Sequence, residues 1–321
     1  MTIQNTLERG DQVLLFQNRR GFAPQQECQS CGHVPHCKHC DVSLTYHKST
    51  HRLRCHYCGY AERTSSNCKA CNNHDVKLKG FGTEKIEDEL QEFFPEQIIR
   101  RMDLDTTRKK DSYENILNAF EDQEIDILVG TQMISKGLDF SHVGLVGVLS
   151  ADQMLNFPDF RAFERAFQML CQVSGRAGRK MSESQVVIQS FEPNHEILKL
   201  VKGHNYKDLL KVQLVERQAF RYPPYFRLIH ILVRHRNRRV ADQASSFLAK
   251  AMRTVFDQRI LGPEYPAFER LKGYYQKQIL LKLERDLSYS DSKQKLSRFV
   301  NGLLSHDNFK GVKVRVDVDP F

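Results

Sequence analysis

The spacing of apolar positions divides the chain into two stretches of regular structure, with an irregular, polar segment near the start. A short helix is expected over the opening residues, followed by a strand at residues 12–16. From residue 76 strands and amphipathic helices alternate, beginning with a strand at 76–79. Ile86, Leu90, Phe93 and Phe94 then sit at i, i+4, i+7 and i+8, the spacing of one buried helical face. Residues 97–101 predict another strand, and Tyr113, Ile116, Leu117 and Phe120 repeat the helical spacing. Residues 125–129 and 143–149 are near-continuous apolar runs, as expected of parallel strands covered on both faces. Phe160, Phe163, Phe167 and Leu170 mark a longer helix, which Cys171 extends as a core residue rather than a reactive thiol. A strand at 185–190 completes a pattern that predicts a doubly wound α/β domain.

Around Tyr222, Pro223 and Pro224 the pattern changes. It now predicts a strand (227–234), a long helix (240–256), two β segments (260–268 and 275–283), a helix (291–304) and a strand (313–318). That β-α-β-β-α-β order suggests an α+β, ferredoxin-like domain. The expected organisation is an α/β lobe from residues 1–27 and 72–222, an inserted module at 28–71, and a C-terminal domain at 223–321. No stretch of eighteen apolar residues occurs, so no membrane-spanning helix is predicted.

The inserted segment holds eight of the nine cysteines, as four CxxC pairs: Cys28/Cys31, Cys37/Cys40, Cys55/Cys58 and Cys68/Cys71. A two-residue spacer lets both thiolates of one turn reach the same tetrahedral metal, at about 2.3 Å each. Disulfides are disfavoured, because residues 2–9 are polar rather than a signal segment and a CxxC turn is too tight for most structural bridges. The gaps of 5, 14 and 9 residues between pairs match no ferredoxin run. Two Zn2+ ions are therefore expected. Short strands on either side of residue 50 suggest a ribbon that places Cys37, Cys40, Cys55 and Cys58 on one ion, with Cys28, Cys31, Cys68 and Cys71 on the other. An interleaved cross-brace, as in ubiquitin-ligase modules, is the alternative. The seven histidines from His33 to His74 are read as surface groups or as supports around the metal ligands, since eight thiolates already fill two sites.

Charge changes the picture only in part. The formal net charge of +9 and a pI near 9.0 point to an anionic partner, nucleic acid first. Eight thiolates and two Zn2+ bring the metallated chain to about +5. Residues 227–321 carry nineteen Lys and Arg against ten Asp and Glu, so this region is the better candidate for phosphate contact.

Two segments carry candidate chemistry. From Gln172 to Arg179 the chain reads Gln-Val-Ser-Gly-Arg-Ala-Gly-Arg, in which Arg176 and Arg179 can point from one loop at one anion. Arginines aimed at a γ-phosphate stabilise the charge that develops during phosphoryl transfer. The second segment, residues 129–140, follows a buried strand and so sits at the carboxyl edge of the sheet, where open α/β folds bind ligands. Gly130, Thr131, Gln132, Lys136 and Gly137 there suit contact with a nucleic-acid backbone or relay of nucleotide state.

In order and content these segments resemble the second motor lobe of superfamily 2 helicases, residues 130–140 looking like motif V and 172–179 like motif VI. Val173 stands where many members carry a further arginine, which leaves Arg176 and Arg179 as finger candidates, with Gln172 beside them. Residues 18–24 (Asn-Arg-Arg-Gly-Phe-Ala-Pro), 82–84 (Gly-Thr-Glu), 103–107 (Asp-Leu-Asp-Thr-Thr) and 316–320 (Val-Asp-Val-Asp-Pro), together with the cysteine spacing, resemble the primosomal protein N′ (PriA) family of replication-restart helicases. The resemblance runs over essentially the whole chain. It implies a RecA-like lobe with an inserted two-zinc ribbon module in nested pairing, and a C-terminal DNA-binding domain. It further implies ATP and Mg2+ as cofactors, 3′-to-5′ unwinding of forked or junction DNA, and a bacterial, cytoplasmic, nucleoid-associated setting. Primosome proteins and single-stranded-DNA-binding protein are the implied partners. Neither a GxxxxGK[ST] phosphate loop nor an Asp-Glu-x-His box occurs in the chain. The expectation is the C-terminal part of a longer helicase, without ATPase activity by itself; a non-catalytic zinc-bearing DNA- or partner-binding module is the competing reading.

Overall fold

The computed structural model describes residues 2–18, 25–39, 42–47, 51–55, 58–79, 83–103, 106–107, 112–131, 140–177, 184–266 and 269–320. The chain opens with helix α1 (Thr2–Glu8) and strand β1 (Gln12–Gln17), followed by short strands β2 (Gln25–Cys28), β3 (Thr45–His47), β4 (Arg52–Arg54), β5 (Ala61–Arg63) and β6 (Val76–Lys79). Next come α2 (Thr83–Phe93), β7 (Ile99–Met102), α3 (Ser112–Glu121), β8 (Ile127–Gly130), β9 (Val143–Leu149), α4 (Asp152–Leu155), α5 (Ala162–Ser174) and β10 (Gln185–Ile188). The remainder is α6 (Glu196–Lys202), α7 (Tyr206–Ala219), β11 (Phe226–His235), α8 (Arg238–Phe256), β12 (Ile260–Glu264), β13 (Arg270–Leu271), β14 (Tyr274–Glu284), α9 (Tyr289–Leu304) and β15 (Lys313–Val318). Among the described residues no helix is long and apolar enough to cross a membrane.

By mutual contact the chain forms two units. One comprises Met1–Val34, Ser65–Phe157 and Arg161–Leu209; the other comprises Pro35–Thr64, Pro158–Phe160 and Leu210–Phe321. The first is built on an all-parallel sheet in the order β10-β9-β1-β8-β7, with β1 in the middle, Val13 paired with Ile127 and Leu14 with Val146. Every residue of β1 is buried, and its side chains alternate between two cores. Leu14 and Phe16 join Leu128, Val146, Phe120 of α3, and Phe167, Leu170 and Val173 of α5. Val13 and Leu15 join Ile127, Val129 and Leu145, covered by Ile3 and Leu7 of α1 and by Ile86 and Leu90 of α2. The amide of buried Gln12 donates to the carbonyls of Phe120 and Ile125, both at 2.7 Å, and so ties the end of α3 to the start of the central strand.

Two expected apolar positions lie elsewhere. Phe93 is 76% exposed, because α2 ends there and Phe94 takes the core position. Phe160 precedes α5 and stacks flat on Tyr222 in the second unit, at 4.3 Å between centroids. The third strand begins at Ile99 rather than at 97, since the Ile98 amide donates to the Asp126 carboxylate at 2.7 Å. Cys171 is half-buried against the first core, and burial pushes its thiol up, away from reactivity.

In the second unit an antiparallel sheet runs β12-β14-β11-β15, the strand order of a ferredoxin-like β-α-β-β-α-β fold, with β13 added as a hairpin arm of β14. Ile229, Ile231, Val233, Ile279 and Leu281 face α8 and α9. Asn237 caps α8 by accepting from Arg239 N at 2.9 Å, which starts the helix two residues before its apolar pattern. Among the described residues no helix packs on the opposite face. At its β12–β14 side Tyr222 and Phe160 cover Leu228 and Leu280. There the ribbon β3-β4-β5 also meets the sheet, Arg54 pairing with Glu264 at 3.0 Å.

Candidate metal centres and motor-lobe motifs

The cysteine pairs fold as knuckles whose shape follows from the residue after the second cysteine. Gly32 (φ 72°), Gly59 (φ 82°) and Asn72 (φ 59°) are left-handed, a conformation open to glycine and tolerated by asparagine. This turns each N–H back to the carbonyl of the first cysteine of its pair: Gly32 to Cys28 at 2.8 Å, Gly59 to Cys55 at 3.0 Å and Asn72 to Cys68 at 2.9 Å. Further amides are left to support the sulfurs, as when Ala70 N donates to Cys68 Sγ and Tyr60 N to Cys58 Sγ. These three positions were not singled out from the sequence, although a Gly or Asn directly after CxxC was the visible signal.

The thiols group in a nested pattern, not an interleaved one. Cys28, Cys31, Cys68 and Cys71 have all their sulfurs within 4.8 Å of one another, with Cys28–Cys71 and Cys31–Cys68 each at 3.6 Å. Cys37, Cys55 and Cys58 form the second group, Cys37–Cys58 also at 3.6 Å, and Cys40 lies outside the described residues. A tetrahedron with metal–sulfur bonds of about 2.3 Å has sulfur–sulfur edges of about 3.8 Å, so both groups fit a thiolate zinc site. The protonation pattern of the first group points the same way. Burial raises Cys28, but hydrogen bonds from the amides of Cys31 and Ser30 and from neighbouring thiols outweigh it and bring it down to about 7. Burial pushes Cys31 up to about 12, and the adjacent sulfurs add to the rise. Cys28 ionises readily while Cys31 and Cys71 resist, as expected where thiolates this close need a cation.

The two groups sit in different surroundings. The first belongs to the unit of the parallel sheet, where β2 pairs with β6 and Gly32 rests on Phe191. The second belongs to the other unit, where Cys37 and Cys55 are themselves core residues with Val42, Leu44 and Leu53, and Gly59 rests on Glu264.

Of the motor-lobe candidates, Gly130 ends β8 and Thr131 follows it, buried, its amide donating to Met102 O at 3.4 Å. Both lie at the carboxyl edge of the parallel sheet. Gln172 is exposed on the last turns of α5, and Arg176 lies in the turn just after that helix, its amide bonded to Val173 O at 3.0 Å. Gln132, Lys136, Gly137 and Arg179 fall outside the described residues. Asp103, at the end of β7, is buried and holds its own turn: its carboxylate accepts from Thr106 N at 3.1 Å and its carbonyl from Thr107 Oγ1 at 2.6 Å. A cavity of about 520 Å³ opens at the same edge between β1, β9 and α2. Its described lining includes Glu89 and Asp152 but no Lys or Arg, so among the described residues it offers a phosphate no cation.

Comparison with known proteins agrees along the chain. Residues 37–63 match the PriA DNA helicase Cys-rich region domain, 76–181 the helicase conserved C-terminal domain, and 218–321 the primosomal protein N C-terminal domain. The replication restart protein PriA of Bacillus subtilis is 38% identical over 99% of this chain and 40% of its own length. That of Synechocystis is 41% identical over 84% of the chain and 33% of its own length, and that of Treponema pallidum 38% over 99% and 48%. A solved Hef helicase domain from Pyrococcus furiosus, 16% identical over 59% of this chain and 23% of its own, has a TM-score of 0.28, too low to carry an argument. The chain thus spans between a third and a half of the length of these relatives. With its nested thiol groups, parallel helicase-type sheet and antiparallel C-terminal unit, it belongs to the PriA replication restart family.

Proposed function

We propose that this chain supplies the second motor lobe and the DNA-contacting C-terminal unit of an ATP-driven, 3′-to-5′ DNA helicase. It acts at stalled or restarted replication forks, where it initiates primosome assembly. The observation that carries this reading is the match of residues 76–181 to a helicase C-terminal domain on an all-parallel sheet, with Gly130 and Thr131 leaving β8 at the carboxyl edge. In this reading Arg176 and Arg179 reach the γ-phosphate of an ATP held, with Mg2+, by a lobe outside this chain. Gln172 and the segment Gly130, Thr131, Gln132, Lys136 and Gly137 relay nucleotide state to the grip on DNA. Cys28, Cys31, Cys68 and Cys71 hold one Zn2+, and Cys37, Cys40, Cys55 and Cys58 the other. These closed sites shape the polypeptide and do no chemistry. The basic stretch 227–321 contacts DNA phosphate, and primosome proteins and single-stranded-DNA-binding protein are the partners.

Steady-state ATPase assays with forked DNA test the reading. In a two-lobe protein containing this chain, Arg179→Ala is expected to lower kcat by roughly 10³. Turnover near the parent's would remove Arg179 from the role. The chain by itself is expected to show no DNA-stimulated hydrolysis, and robust hydrolysis would overturn the division of labour between lobes.

A further inference from the structure

Among the described residues, the helix-free face of the C-terminal sheet is covered at its β12–β14 side; toward β15 its composition changes from apolar to cationic and aromatic. The register pairs Arg234 of β11 with Lys313 of β15 and with Gln276 of β14, which puts Tyr274, two residues further and on the same face, beside the end of β11. Lys313 Nζ lies 4.9 Å from the centre of the Tyr274 ring, and the guanidinium carbons of Arg236 and Arg234 at 5.7 and 6.0 Å. Among the described residues none of these three cations forms an ion pair with a carboxylate, and Arg234 Nε is buried without a hydrogen-bond partner. The nearby Arg315 is different, being paired with Asp317 at 2.9 Å. Next to the cluster, Lys272 (φ 49°) and Gly273 (φ 80°) form the two-residue turn between β13 and β14 and carry one more cation to the same end of the sheet. The Tyr274 phenol is held below its ordinary value, by Lys313 first and then Arg236, so the local potential is positive.

Three cations without carboxylate partners around one ring repel one another; the ring face, and the hydrogen bonds of Lys313 and Arg236 to the phenol, offset part of that repulsion, and a bound anion would offset the rest. The planar groups narrow the choice of anion. A phenol ring flanked by guanidinium planes offers stacking surface as well as charge, which suits a base joined to a phosphate. A duplex keeps its bases stacked inside, and an acidic peptide would use the charges but not the ring. We propose that Tyr274 with Arg234, Arg236 and Lys313 forms a binding site for single-stranded nucleic acid, in which one base stacks on the ring and adjacent phosphates meet the cations. The site rests on the reading of the C-terminal unit as DNA-contacting, and adds to it a face, a strand state and the residues.

The test is fluorescence anisotropy of the whole chain with labelled oligo(dT) and with a duplex of equal length, over a range of salt. Tyr274→Ala should weaken oligo(dT) binding about tenfold while leaving the slope of log K against log salt unchanged. Tyr274→Phe, which keeps the ring and the fold, should bind like the parent. Lys313→Gln should lower the magnitude of the slope by about 0.7. Several outcomes overturn the site: Tyr274→Ala within twofold of the parent, equal weakening on duplex, or displacement of oligo(dT) by polyglutamate with no dependence on Tyr274. If the parent binds neither oligonucleotide at low salt, the DNA-contacting reading of the whole unit falls too. Binding untouched by these variants removes this site alone.

Discussion

Gly32 and Gly59 occupy the same place in two copies of one local structure, yet they answer to different parts of the molecule. Each follows a CxxC pair, has a left-handed backbone and returns its amide to the first cysteine. A methyl group at Gly32 would collide with the Cβ and ring of Phe191 in the parallel-sheet unit; at Gly59 it would meet the carboxylate end of Glu264 in the other. The knuckle is therefore a product of local spacing and metal geometry, while its anchor is a product of the tertiary fold. A contiguous cysteine-rich stretch ends up serving two packing units, one metal group in each.

Withdrawing the metal should separate these units most strongly. The ribbon has three strands of three residues and a five-residue buried cluster in which two members are cysteines, so on the two-zinc reading its structure would depend on an ion worth roughly 10–16 kcal/mol of folding free energy. A chelator is expected to abolish amide-exchange protection in residues 52–54 and 61–63 while β1 and β8 stay protected by their own cores. Concerted loss of protection in all these strands would erase the contrast. Phe120→Ala, in the first core, should cost about 3–5 kcal/mol by urea titration and leave the zinc content at two per chain. Loss of zinc from the Cys37, Cys55 and Cys58 group with that substitution would erase the contrast, since only the first group shares a unit with Phe120.

The glycines give the direct comparison. Gly32→Ala is expected to cost about 2–3 kcal/mol, because left-handed strain adds to a clash with an atom fixed close to the Phe191 backbone. Gly59→Ala should cost nearer 1 kcal/mol, since the far end of Glu264 can swing aside. Thermal melts of the zinc-loaded variants rank them, and the reverse order would locate the stiffer anchor in the C-terminal unit.

The smallest effect is expected from Glu264→Gln, within about 1 kcal/mol. Burial pushes this carboxyl above the ordinary range, by more than Arg54 and Lys277 pull it down. With its folded value raised above its unfolded one, the group's contribution is fully present below the unfolded value and is lost as pH rises through the folded one. The parent should therefore lose stability relative to the variant over that rise, and a relative gain would show that the Arg54 pair is net stabilising.

The sequence made β1, β8 and β9 of the parallel sheet legible because they are buried on both faces, and the zinc pairs because their spacing is rigid. Helix α7 escaped, with Leu209 buried but Leu210 and Val215 exposed, so that no single apolar face shows in its pattern. Phe160 misled for a related reason: it continues the α5 spacing, but its partner is a stacked Tyr222, a contact that periodicity does not encode. The cluster around Tyr274 is scattered over positions 234, 236, 274 and 313, and only the pairing of three strands assembles it. Lys136, Gln132 and Arg179 rest on motif likeness alone.

The central position of β1 has a consequence for how the chain can vary. Val13 pairs with Ile127 across more than a hundred intervening residues, among them the 44 from Cys28 to Cys71. Loop-closure entropy grows only with the logarithm of length, so carrying those 44 residues between the two strands costs about 0.4 kcal/mol. Bringing Cys28 beside Cys71 returns even that, by shortening the path the backbone must close. An entire metal-binding insertion can thus be gained, enlarged or remodelled between the first strand of the sheet and its neighbour while the sheet scarcely registers it.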